Sequence, residues 1–174
     1  MLELDAGEEA PRKVRAFIEI PRGSNIKYEL DEKTGVIKVD RILFTSMVYP
    51  YNYGFVPGTL GEDGDPIDIM VISSAAFNSG TMVMVRPIGV LLMRDEEGVD
   101  TKIMAVPVEK VDPELAHIQD IKDLSESIKG KVVHFYSYYK NIEPGKWVKL
   151  EGWDDAARAQ DFIKKAIVRG KKKK

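Results

Sequence analysis

Asp63, Asp65 and Asp68 fall within six residues of the stretch GEDGDPIDIMV (Gly61 to Val71), directly ahead of an apolar run. Carboxylates that close repel one another, so something must offset the repulsion. A charged turn before a strand is one answer. A calcium loop is a second, but the EF-hand pattern wants glycine at its sixth position and glutamate at its twelfth. Counted from Asp63, those positions hold Asp68 and Ser74. The third answer is a site for hard divalent cations, since Mg²⁺ binds through a few carboxylates together with waters and phosphate oxygens. Pro66 would stiffen the loop and keep the carboxylates convergent.

A second acidic cluster, RDEEGVDTKI, carries Asp95, Glu96, Glu97, Asp100 and Lys102. Alone it reads as a solvated hairpin turn around Gly98. It follows an apolar strand just as the first cluster precedes one, so adjacent strands could bring both to one end of a barrel. Asp95 and Asp100 would then add ligands to those of the first loop. Cations and phenols come from elsewhere in the chain. IKYELD offers Lys27 and Glu29 on one strand face, and Arg41 lies in the next arm. YPYNYG offers Tyr49, Tyr51 and Tyr53, and YYK offers Tyr138, Tyr139 and Lys140. Singly, each has a structural reading: a strand-surface lysine, a half-buried tyrosine, a cation at a helix C-terminus. Together they make a set for holding phosphate, with guanidinium, ammonium and phenolic donors beside metals. His117 and His134 are the only histidines. His134, next to Phe135, reads as a packing residue. Neither GxxxxGK[ST] nor GxGxxG occurs, and Ser73 and Ser74 lack a nucleophile-elbow context.

These groups need a scaffold. A chain of 174 residues favours one domain over 1–174. Its 26 Lys and Arg against 28 Asp and Glu leave a net charge of −2, so bulk charge makes no case for nucleic acid or an anionic membrane. No apolar stretch is long enough to cross a bilayer. The N-terminus lacks the basic start and apolar run of a signal peptide, which favours the cytoplasm. Zero cysteines exclude disulfides and thiolate chemistry. Residues 1–12 read as a loose polar arm and 170–174 as a disordered lysine tail. VRAFIEI, the arms of IKYELDEKTGVIKVDRIL, IDIMVIS, TMVMVRPIGVLLMRD, TKIMAVPVEK and KWVKLEGW read as strands, with DEKTG as a hairpin turn. Ile128, Val132, Phe135, Tyr136 and Tyr139 mark an amphipathic helix over 125–140. A last helix follows Asp154 or Asp155, with Phe162, Ile163, Ala166 and Ile167 inward. Strands followed by helices predict an α+β fold, and their close spacing predicts a small closed antiparallel barrel with two flanking helices.

Nine segments in order, from IEIPRGSNIKYELD through KVDR, YPYNYGFVPGTL, DGDPIDIMV, RPIGVL, DEEGVDTKI, AVPVEK and HFYSYYK to EGW, resemble family I soluble inorganic pyrophosphatase in its compact prokaryotic form. The resemblance spans about Phe17 to Trp153. It implies a five-stranded OB-like barrel and a homohexamer. It also implies Mg²⁺-dependent hydrolysis of pyrophosphate, with Mn²⁺ or Zn²⁺ as possible substitutes. By this resemblance Asp63, Asp68, Asp95 and Asp100 are metal ligands and Asp65 is the general base. Lys27, Arg41, Tyr53, Lys102, Tyr139 and Lys140 hold phosphate, while Glu19, Glu29, Tyr49 and Glu96 line the site. Tyr139 is chosen over Tyr138 because it adjoins Lys140. With no nucleophile in view, the expected reaction is direct attack of a metal-activated water without a covalent intermediate. The rival readings are an OB-type module binding nucleic acid and another Mg²⁺-dependent phosphohydrolase.

Overall fold

Strand direction around a closed ring is a matter of parity. The structure, a computed structural model describing residues 4–172, contains a ring of five strands. They are β1 (Val14–Ile20), β4 (Asn52–Phe55), β5 (Asp68–Val71), β8 (Lys102–Pro107) and β6 (Thr81–Asp95), which pairs back onto β1. An odd-numbered ring cannot alternate direction throughout, so one neighbouring pair must be parallel. That pair is β5 and β8, with Ile69 opposite Ile103 and Val71 opposite Ala105. The barrel is therefore closed but not wholly antiparallel, which corrects the expectation from strand spacing.

This parity sets up the site. Parallel pairing puts the first residues of β5 and β8, Asp68 and Lys102, at the same end of the ring. Strand β6 runs antiparallel to β8, so its last residue, Asp95, arrives at that end too. A two-residue strand β7 (Gly98–Val99) folds back on β6 and carries the chain on to Asp100.

Strands β5 and β8 are buried on both faces, as expected for strands inside a covered sheet. Ile69, Val71, Ile103 and Ala105 share a core with Ala159 and Ile163 of helix α2 (Ala156–Lys172). Met70, Ile72, Met104 and Val106 share the other with Val132, Phe135 and Tyr136 of helix α1 (Glu126–Tyr138). Each helix starts on a side-chain cap. Ser125 Oγ accepts from the Ile128 N–H at 3.3 Å, and Asp155 Oδ1 accepts from that of Arg158 at 2.9 Å. Strand β9 (Val148–Asp154) extends β6 outside the ring.

The hairpin of β2 (Ile26–Asp31) and β3 (Val36–Ile42) forms a separate two-stranded sheet. Its turn lies where DEKTG predicts it. Asp31 Oδ1 accepts from the N–H groups of Lys33 and Thr34, and the Asp31 carbonyl accepts from Gly35. The register sets Lys27 opposite Arg41.

Three further expectations are corrected. The arm is folded against the barrel from Leu4 on: Ala6 is buried, and its carbonyl accepts from the Arg15 N–H at 2.9 Å. Met1 to Glu3 lie outside the described residues. The lysine tail continues α2 through Lys172, where basic side chains suit the helix C-terminus. Arg169 also ties that turn to the Leu60 carbonyl at 2.8 Å. Residues 173–174 of that tail lie outside the described range. His134 does not pack inward; it is exposed, its ring 5.2 Å from that of Tyr138 on the outer face of α1.

Candidate active site

A cleft of about 250 Å³ opens at the end of the ring where β5, β6 and β8 converge, and all fifteen residues singled out from sequence line it. At its floor is Lys102, 4% exposed. Its Nζ donates to Asp68 Oδ2 at 2.5 Å, Asp100 Oδ1 at 2.6 Å and Tyr53 Oη at 3.1 Å. These use all three of its hydrogens. Burial pushes the ammonium down, but Asp68, Tyr53 and Asp100 outweigh it and hold Lys102 well above its ordinary value. Burial is also the main reason the Asp100 carboxyl is raised, with Asp68 adding to it.

The turn after α1 supplies one wall. Lys140 Nζ donates to the buried Asp95 at 2.7 Å. Lys146 pairs with Glu96 at 2.7 Å. Burial raises Glu96, but the Lys146 hydrogen bond and nearby backbone N–H groups override it and bring the carboxyl to about 2. The hairpin supplies the opposite wall. Lys27 pairs with Glu29 at 2.6 Å and Asp40 at 3.3 Å. The Arg41 guanidinium takes Asp40 at 2.7 Å through Nε and Glu143 through Nη1. Between hairpin and ring, Glu19 accepts from the Leu30 N–H at 2.7 Å, and burial lifts its carboxyl to about 7.

The aspartate loop is shaped by its own backbone. Gly64 has φ of +95°, Asp63 Oδ1 accepts from the Asp65 N–H, and the Asp65 carbonyl accepts from Gly61. Asp63 and Asp65 remain exposed at the rim. Partial desolvation, then the charges of Asp63 and Asp68, raise the Asp65 carboxyl. The phenols form an aromatic stack beside it. Tyr49 lies 4.7 Å from Phe135 and 5.4 Å from Tyr53 between ring centroids, and Tyr139 stacks on Phe135 at 4.8 Å. Tyr139 lines the cleft, whereas Tyr138 faces outward, 49% exposed. Tyr51 lies outside the cleft under Arg22.

Sequence reasoning missed Tyr136, Glu143 and Lys146, which also line the cleft. Tyr136 reads as an apolar helix position, yet its buried hydroxyl has no hydrogen-bond partner among the described residues. Glu143 and Lys146 sit in NIEPGKW, which reads only as a helix stop.

The cleft lining holds ten carboxylates and five cationic groups. Its donors are hard oxygens without thiolate or imidazole, which fits Mg²⁺ rather than a soft metal. Among the described residues no three carboxylates gather into a ready-made cage, because Asp68, Asp95 and Asp100 each turn to a lysine.

A closed ring with two packed helices and a polar, acid-rich cleft at its end defines an OB-like α+β barrel. The profile of the inorganic pyrophosphatase family matches residues 16–171. The chain is 55% identical to the inorganic pyrophosphatase of Saccharolobus solfataricus, over 98% of this chain and 99% of the relative. It is 52% identical to that of Aquifex pyrophilus, over 98% and 96%. The crystal structure of the Thermus thermophilus inorganic pyrophosphatase superposes with a TM-score of 0.94 at 46% identity, covering 97% of each chain. The chain belongs to the inorganic pyrophosphatase family, in its compact prokaryotic form.

Proposed function

We propose that the chain hydrolyses inorganic pyrophosphate to two orthophosphates with Mg²⁺, by direct attack of water and without a covalent intermediate. One observation carries the reading: each of the cleft's five cationic groups is paired with a cleft carboxylate or Asp40, and acids still outnumber them. A bare polyanion would meet surplus negative charge. A polyanion together with divalent cations satisfies both sets of groups.

Asp63, Asp68, Asp95 and Asp100 would hold Mg²⁺, and Mn²⁺ or Zn²⁺ are the substitutes to test. When bound, the metal supplies charge neutralisation on phosphate oxygens and a lowered pKa for water. Asp65 takes the proton of the attacking water, and its raised carboxyl makes it the stronger base. Lys27, Arg41, Lys102 and Lys140, with Tyr53 and Tyr139, hold the phosphate oxygens and stabilise the departing phosphate. Glu19, Glu29, Tyr49 and Glu96 line the site and orient its water and its cations. No serine or histidine lines the cleft among the described residues, and the chain has no cysteine, which agrees with direct attack.

The protein acts in the cytoplasm as a homohexamer in this reading. Exposed Val39, Ile42 and Phe44 along the hairpin and the segment after it support self-association, and sedimentation tests it. No helix among the described residues is long and apolar enough to cross a membrane.

The deciding experiment is phosphate release from pyrophosphate with Mg²⁺ and with EDTA, beside ATP and p-nitrophenyl phosphate. Fast Mg²⁺-dependent release from pyrophosphate alone is expected. Comparable turnover of all three substrates would move the reading to a general phosphohydrolase.

A further inference from the structure

Arg41 and Glu143 are 102 residues apart in sequence, yet Arg41 Nη1 donates to Glu143 Oε1 at the cleft. The Glu143 side chain is 8% exposed and that of Arg41 33%. Glu143 is fixed by its own turn: its N–H donates to the Lys140 carbonyl at 2.9 Å and its carbonyl accepts from Lys146 at 3.3 Å. The acid therefore stands between two cleft lysines and closes on a guanidinium carried by the opposite wall. Unlike Asp68, Asp95 and Asp100, it is not among the acids that would hold metal. Its one side-chain hydrogen-bond partner among the described residues is Arg41.

A carboxylate and a phosphate present a guanidinium with the same acceptors. We propose that Glu143 is a positioning residue that stands in for substrate phosphate. It holds Arg41 oriented at the resting cleft, yields it to a phosphate oxygen on binding, and reclaims it as product leaves. The proposal rests on the pyrophosphate reading of the site. Its consequence is a deliberate weakening of phosphate affinity, and with it faster product release.

The test is a double-mutant cycle on the full chain: parent, Glu143→Gln, Arg41→Ala and the double variant. Calorimetry with inorganic phosphate at fixed Mg²⁺ gives Kd, and pyrophosphate turnover gives kcat and KM. Glu143→Gln is expected to bind phosphate about threefold tighter or more, with KM and kcat both falling. In the Arg41→Ala background the same change should leave Kd unmoved. Tighter binding in both backgrounds would mean Glu143 is merely one more negative charge, and would overturn the proposal. Unchanged or weaker phosphate binding with Arg41 present would overturn it as well, leaving a structural tie between hairpin and helix. If Glu143→Gln fails to fold, Glu143→Asp, which keeps the charge but shortens the reach, takes its place with the same expected outcomes. A parent protein that binds phosphate but does not turn over pyrophosphate would reject the hydrolytic reading, while the Kd values would still judge the exchange at Arg41.

Discussion

Lys102 and Asp68 open two parallel strands at the same end of the ring, and their side chains meet at 2.5 Å. With Asp100 at 2.6 Å, the ammonium is the buried cation that keeps two acids from facing each other. Lys102→Met should destabilise the metal-free protein by about 3 kcal/mol, the usual cost of stripping one partner from a buried ion pair. Urea unfolding in EDTA measures it. Mg²⁺ should raise the melting temperature of the variant more than that of the parent, because the two carboxylates it leaves unpaired become available as ligands.

Asp65 stands at the rim with a raised carboxyl and no cationic partner among the described residues. Asp65→Asn should lower kcat by about 10² or more while Mg²⁺ binding stays largely intact. Asp68→Ala should instead raise the Mg²⁺ concentration needed for half-maximal rate. Steady-state kinetics across a Mg²⁺ series separates the two. Near-normal turnover of the asparagine variant would reject Asp65 as the base.

Glu19 carries a pH signature. Burial lifts its carboxyl from 4.5 to about 7, so the folded protein holds this proton more tightly than the unfolded chain. Its contribution to stability is complete below about pH 4.5 and is lost as pH rises through about 7. Urea midpoints in EDTA should therefore fall across that window from this group. In Glu19→Gln that part of the slope should vanish. An identical slope in parent and variant would assign the pH dependence elsewhere.

Gly54 lies in β4 where it crosses β1, and a Cβ there would stand 1.8 Å from the Phe17 carbonyl oxygen. Backbone cannot yield as a flexible side chain can. Gly54→Ala should cost about 3 kcal/mol or more, read as a lowered urea midpoint. Because the adjacent Tyr53 lines the cleft, the variant should also weaken pyrophosphate binding in whatever fraction folds.

Much of this was visible in the sequence because the relevant signals are local. Alternation and DEKTG gave the hairpin, the spacing of apolar and aromatic residues gave α1, and the aspartate loop announced itself by crowding. Helical spacing could also have settled the tyrosines: Tyr139 is four residues from Phe135 on the buried face, and Tyr138 is four from His134 on the wet one. Strand direction was not visible, since a period of two residues is the same in parallel and antiparallel pairs. The arm and the lysine turn were misread because polar composition suggests solvation, whereas long-range hydrogen bonds at Ala6 and Arg169 hold them down. Glu143 carried no local mark at all. Its meaning comes from a partner 102 residues away.

The hairpin that bears Lys27, Glu29 and Arg41 shares no ladder with the ring among the described residues. Of the groups proposed to hold phosphate, Lys27 and Arg41 thus stand on the hairpin, apart from the ring strands that bear Tyr53 and Lys102. In the proposed reading, substitutions along β2 and β3 would tune substrate affinity with little risk to the barrel, whereas Asp68, Asp95 and Lys102 sit at the ring's own strand ends. A lineage adapting this enzyme to a new phosphate concentration would find its cheapest variation in the hairpin, and its most constrained positions at the seam between β5 and β8.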